Sequence, residues 1–166
     1  MTQNIQLYIA MSLDGFIADS TGSVSWLEKY NDSGFDYGYN DFFAAVDAVI
    51  VGNTTQEQFP QMYEGKPCFV FSQSQIGVNK NITYVSGDVD AVINSLSLTG
   101  NVWLVGGASL VKQFMQANRI DEFIITIIPE LLGEGISLFD SVNYSDSLCL
   151  VNTTSFGDVV QITYRR

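Results

Sequence analysis

The stretch Val102-Trp103-Leu104-Val105-Gly106-Gly107-Ala108-Ser109-Leu110 constrains this chain more than any other. Four large apolar residues in a row read as a strand buried on both faces, which belongs in the middle of a parallel sheet. Two glycines follow, and then Leu110, Val111, Phe114 and Met115 recur at a helical period. A buried strand that breaks at Gly-Gly and opens a helix leaves bare backbone N–H groups at the helix N-terminus. Such groups attract phosphate through unpaired donors and the positive end of the helix dipole. A tight strand-to-helix turn, with glycine merely tolerated, is the other reading of the same residues.

Taken in order, Ile5–Met11 is a first strand, followed by an Asp14-Gly15 turn with hydrophobic residues on both sides. Asn31–Gly38 is polar and Gly-rich, and Asp41–Val46 carries a helical apolar face. Ala48–Val51 is a second buried strand, ending in Gly52-Asn53-Thr54-Thr55 and a helix that Pro60 stops. Cys68–Phe71 is a third, ending in Ser72-Gln73-Ser74, and Ile82–Val85 a short fourth. Asp88 then caps a helix with Val89, Val92, Ile93 and Leu96 on one face. After strand Val102–Val105 and helix Ala108–Ala117 the texture changes. Phe123–Ile128 is a strand, 129–139 a connection, and Leu148–Thr153 and Val159–Tyr164 a closing antiparallel pair. Strands alternating with helices, and then strands alone, predict an α/β fold with a mixed, mostly parallel sheet and an antiparallel C-terminal edge. With no repeat or linker in sight, 1–166 reads as one domain.

Charge and residue usage exclude several function classes. The net charge of −11, with 18 acids against seven scattered bases, argues against a nucleic-acid partner. No apolar run approaches the roughly 18 residues of a membrane span. The start, Met1-Thr2-Gln3-Asn4, lacks a cationic n-region, so the expected location is the cytoplasm. Histidine is absent, which removes the commonest general acid–base and the commonest metal ligand. Cys68 and Cys149 lie in apolar segments and read as buried free thiols; no metal site is expected.

Three strands thus end in small or hydroxylated residues: Gly52–Thr55, Ser72–Ser74 and Gly106–Ser109. In open α/β sheets ligands sit beyond the carboxyl ends of the strands. If these ends are neighbours, two helix N-termini hold a pyrophosphate, with Thr54, Thr55 and Ser109 adding hydroxyl donors. The spacing is not G-x-G-x-x-G, so the ordinary dinucleotide fingerprint is absent.

Met11-Ser12-Leu13-Asp14-Gly15-Phe16-Ile17-Ala18, Gly22 with Trp26-Leu27, Val51-Gly52-x-x-Thr55, Gly106-Gly107-x-x-Leu110 and Asp121-Glu122…Pro129-x-Leu131-Leu132-Gly133-x-Gly135…Leu138-Phe139 resemble the dihydrofolate reductase-like superfamily. The closer similarity is to the C-terminal reductase domain of the bacterial bifunctional deaminase–reductase of riboflavin biosynthesis. The resemblance runs over nearly the whole chain and implies a three-layer fold. It also implies an NADPH-dependent reductase that passes hydride to a small heterocyclic substrate, as 5-amino-6-(5-phosphoribosylamino)uracil reductase does, often as a homodimer. It makes Gly52, Asn53, Thr54 and Thr55 the first phosphate junction and Gly106, Gly107, Ala108 and Ser109 the second. Ser72 and Gln73 become the adenosine side. Ala10 and Gly15, Phe16, Ile17 and Ala18 fall beside the nicotinamide, in a loop able to close over it.

Departures from the family pattern matter as much. Asn53 stands where relatives usually carry arginine, and Gln73 where a basic residue often follows the serine. Those cations hold the 2′-phosphate of NADPH, which leaves NADH as the alternative cofactor, unless Lys80 substitutes from the loop after Ser74. Val105 stands where the riboflavin-pathway reductases often carry a carboxylate, which unsettles the substrate. The folate branch places its proton donor on the helix before the first glycine junction. That makes Asp36 the candidate catalytic acid, with Asp41 second, provided burial raises its pKa; the alternative is a helix cap. Trp26 either walls the pocket or fills the core, and Tyr37, Tyr39 and Phe42 are candidates to line the same cleft. Other readings of the function are a nucleotide-binding module without catalysis and a folate or pterin reductase.

Overall fold

The computed structural model describes residues 3–140 and 144–166. Its centre is the stretch singled out above: β7 (Gly100–Gly106) is buried from Val102 onward and opens directly into α5 (Ala108–Gln116). On one side of β7 runs β1 (Gln3–Ser12), then β8 (Glu122–Ile128), β11 (Val159–Arg165) and β10 (Cys149–Phe156). On the other side stand β3 (Ala48–Gly52), β4 (Cys68–Phe71), β6 (Ile82–Val85) and the short β5 (Gly77–Asn79). The six strands from β8 to β6 are parallel, and antiparallel partners close both edges. The mixed, mostly parallel sheet is therefore as expected, including the antiparallel C-terminal edge. The second antiparallel edge, β5, is an addition.

Alternation along the strands builds two cores, because successive side chains point to opposite faces. Ile50, Leu104, Ile5 and Leu7 face α4 (Val89–Leu96) and α5, whose Val89, Ile93, Leu110, Val111 and Phe114 cover them. Val49, Val51 and Trp103 face the other way, under Tyr39, Phe42 and Phe43 of α2 (Tyr39–Ala45). Trp103 anchors that second layer: its indole N–H donates to Tyr8 O at 3.0 Å, and Phe42 meets it edge-on. Truncating such a residue costs about 3–5 kcal/mol. Tyr39 and Phe42 thus belong to packing.

A minor sheet pairs β2 (Phe16–Ala18) with β9 (Ile136–Ser137), inside what the sequence reads as a plain connection. Another correction concerns the thiols. Cys68 is buried, and burial pushes its pKa up to about 12, but Cys149 is exposed. The apolar run around Cys149 sits on edge strand β10, most of which neither face of the sheet covers.

Candidate cofactor site at the strand ends

Because β7, β3 and β4 are adjacent and parallel, their three carboxyl ends lie on one rim. The two glycine junctions touch. A Cβ placed on Gly52 would lie 3.4 Å from Gly106 O, and one on Gly107 would lie 3.4 Å from Thr55 Oγ1. Gly106 has φ +123°, a conformation that only glycine adopts without strain, and the Gly106–Gly107 peptide is cis. Ala108 and Ser109 follow as the first turn of α5, and Asn53 and Thr54 as the first turn of α3 (Asn53–Gln58).

Capping distinguishes the helices at this rim. The N-terminus of α4 is closed by its own residue, since Asp88 accepts from Ala91 N at 3.2 Å. The N-caps of α3 and α5 are Gly52 and Gly107, with no side chain to satisfy the first-turn donors. The Thr54, Thr55 and Ser109 hydroxyls make no hydrogen bond among the described residues, and Asn53 Oδ1 is buried without a partner. Two open helix starts facing each other, with hydroxyls between them, suit a pyrophosphate. The donor set therefore fits a dinucleotide.

Other expected residues fall less simply. Ser72 is buried, and its hydroxyl accepts from Ser74 N and Gln75 N, so it shapes its own turn; Gln73 is exposed. Ala10 lies on the part of β1 that runs past its last pairing with β7, Leu7 to Leu104, and it faces Thr126 of β8. Gly15 to Ala18 are held against the 132–138 segment by hydrogen bonds. Asp14 accepts from Ser12 Oγ, Leu132 N and Gly133 N, and Leu138 N donates to Gly15 O. A Cβ on Gly135 would lie 2.2 Å from Ala18 O, so this contact admits only glycine.

Asp36 requires a correction. It is exposed, and its carboxylate accepts from Gly38 N and Asn40 N at the start of α2. Those bonds hold its pKa below the usual aspartate range, where burial would have raised it. It caps a helix. Lys80 requires another: it turns β5 into β6, and Ile82 pairs with Cys68 at the opposite end of β4 from Ser72. That separates Lys80 from the rim by the length of the strand, about 13 Å. Trp26 is half-buried, with its indole nitrogen enclosed and without a partner among the described residues.

Beside the rim, a polar row crosses the α2 face of the sheet. Tyr8 OH donates to Tyr37 O at 2.9 Å, and Gln161 Nε2 donates to Tyr37 O and to Thr126 Oγ1. Burial raises the Tyr8 pKa. Of these, only Tyr37 was a candidate from sequence, because the row exists only through the registers Ala10–Thr126 and Thr126–Gln161. Glu57 was also missed, although its spacing from Asn53, four residues on a helix, was a usable signal. Two hollows lie elsewhere. One, about 730 Å³, is at the opposite rim around Asp90, Arg119 and Asp121. The other, about 450 Å³ and apolar, lies between α5, β11 and Tyr144. Neither has open helix starts converging on it, so the chemistry favours the rim.

Comparison with known proteins agrees with this geometry. The RibD C-terminal domain model matches residues 3–162. The uncharacterized protein YwjB of Bacillus subtilis (strain 168) is 41% identical, over 100% of this chain and 99% of its own. A crystal structure from Shewanella sp. PV-4, solved under a provisional riboflavin-biosynthesis name, superposes with TM-score 0.85 at 28% identity, covering 98% of both chains. Dihydrofolate reductase from Enterococcus faecalis, complexed with NADP(H), superposes with TM-score 0.70 at 15% identity, covering 98% of this chain and 96% of that one. The latter likeness is one of fold. With the sheet order, the touching glycine junctions and the family model in agreement, the chain belongs to the RibD C-terminal domain family, with a dihydrofolate reductase-like fold.

Proposed function

We propose that this protein is a reductase that takes hydride from a reduced nicotinamide dinucleotide, NADPH or NADH, and delivers it to a small heterocyclic substrate. One observation carries the reading: the uncapped starts of α3 and α5 meet at Gly52 and Gly107. Their amides, with the Thr54, Thr55 and Ser109 hydroxyls, bind the pyrophosphate. When bound, the cofactor supplies the hydride. The chain's own part is to position the reactants and exclude water. The segment Gly15–Ala18, braced by Asp14, walls the nicotinamide side. The row of Tyr8, Thr126 and Gln161 beside Ala10 orients the heterocycle through hydrogen bonds. Reduction also consumes a proton. Asp36, held deprotonated near neutrality, is a poor donor for it.

The exposed, helix-capping role of Asp36 favours a second reading, a binding module without turnover. The same purified protein distinguishes the two. Titration with each dinucleotide, followed by nicotinamide fluorescence, should show saturable binding. Addition of ribosylaminopyrimidines or pterins should then produce loss of absorbance at the reduced-nicotinamide band. Binding without oxidation across the panel selects the module, and no binding rejects both. The reading goes with one domain over 1–166, a cytoplasmic location and a homodimer, the last checked by sedimentation.

A further inference from the structure

Glu57 lies at the point where the two outer ends of the rim come together. Its Oε1 accepts from Asn53 Nδ2 at 2.9 Å, at the start of its own helix α3. The same oxygen accepts from Gln75 Nε2 at 3.2 Å, in the turn that follows β4. Its Oε2 makes no hydrogen bond among the described residues, and the side chain is exposed. An anionic carboxylate with one unengaged oxygen therefore stands fixed over the gap between the β3 and β4 ends.

Resting on the dinucleotide reading above, the direction of the cofactor follows from what flanks the rim. The β1 side offers the enclosed wall of Tyr8, Thr126 and Gln161, which a reacting ring needs. The β4 side offers a turn in which Gln73 and Ser74 are exposed and Gln75 is half-buried. The non-reacting adenosine half therefore falls on the β4 side, beside Glu57. We propose that Glu57 makes this site select a dinucleotide with a free ribose 2′-hydroxyl, NADH, over one with a 2′-phosphate.

The chemistry is that of an acceptor facing a donor. A ribose hydroxyl donates to the open Oε2, as acidic residues do for the ribose in other dinucleotide sites. A 2′-phosphate, with charge near −2 at neutral pH, has no proton to share at that position and repels the carboxylate. Among the described residues no cation pairs with Glu57, and Lys29 is engaged by Glu130. Lys66, Lys80, Arg119, Arg165 and Arg166 all serve the opposite rim. The groups facing the gap are the amides of Asn53 and Gln75, held on Glu57 itself, in a chain of net charge −11.

Equilibrium titration of the intact protein with NADH and NADPH tests this without any substrate. At low salt NADH should bind at least about tenfold more tightly, and the gap should narrow as salt rises, because an exposed carboxylate is screened. Glu57→Gln should shift the two affinities in opposite directions, weakening NADH a few-fold and tightening NADPH several-fold. Gln75→Lys, which changes no residue of α3 and sets a cation beside Glu57 in place of the amide it accepts from, should tighten NADPH alone. Wild-type protein that binds NADPH as tightly as NADH, or a ratio unmoved by both variants, overturns the role of Glu57 and leaves the cofactor reading standing. Failure to bind either dinucleotide overturns both.

Discussion

At the N-terminal rim of the parallel strands, Asp121 Oδ2 accepts from Ile5 N at 2.7 Å and Asp47 Oδ2 accepts from Asn101 N at 2.8 Å. Asn4 reaches Asn101, and Glu122 is held by Gln6 and Arg165. At the C-terminal rim of the same strands, glycine caps α3 and α5, and the hydroxyls of Thr54, Thr55 and Ser109 bind nothing among the described residues. One rim has its polar side chains committed to the fold. The other leaves donors unmatched at the ends of strands whose interiors are buried. Unmatched donors above a rigid core mark the ligand side, because the core fixes them without needing them for stability.

Substitutions at the two rims should therefore separate binding from stability. Gly107→Val puts a branched side chain against Thr55 with no positive φ to strain it. Dinucleotide affinity should fall at least about 100-fold while stability drops by only about 1 kcal/mol. Calorimetric titration and thermal melts read the two effects. Asp121→Ala should do the reverse. Leaving Ile5 N without its acceptor should cost about 1–3 kcal/mol, read by urea unfolding, with dinucleotide affinity unchanged. Equal binding losses in both variants would dissolve the distinction.

Asp14 lies between these extremes. Hydrogen bonds from Ser12 Oγ and from Gly133 and Leu132 N–H hold its pKa below the usual aspartate value of about 3.9. The folded-state pKa is depressed, so the stabilising contribution is present above the ordinary value and lost as pH falls through the lowered one. Amide exchange at Leu132 and Gly133, corrected for intrinsic rates, should stay protected down to about pH 4 and open below it. Asp14→Ala should open the same amides at neutral pH. The smallest effect is expected at Asp36. Asn can still accept at the cap, so Asp36→Asn should leave stability and the pH profile of any turnover essentially unchanged. Loss of the profile's alkaline limb, the fall in rate as a proton donor is deprotonated, would restore Asp36 as that donor.

What could be read from the sequence follows from how each feature is encoded. Ala48–Val51, Cys68–Phe71 and Val102–Val105 are continuous apolar runs closed by small residues, and each matches its strand within two residues. Gly77–Asn79 has three exposed residues and no periodicity, so strand β5 had no signal. The contact of Gly52 with Gly107 depends on strand order, which only the resemblance supplied. An aspartate before a helix looks alike as a cap or as a buried acid, and Asp36 took the former role. Lys80 looked close to Ser74 along the chain, but a hairpin carries it to the other rim.

The central claim is that the touching starts of α3 and α5 seat a dinucleotide. A crystal structure of the protein soaked with NADH tests it directly. The account predicts pyrophosphate oxygens within hydrogen-bond reach of the amides of Asn53–Thr55 and Ala108–Ser109, with the adenosine ribose against Glu57. A dinucleotide found at the opposite rim, beside Arg119, or in the apolar hollow by Tyr144 would contradict it.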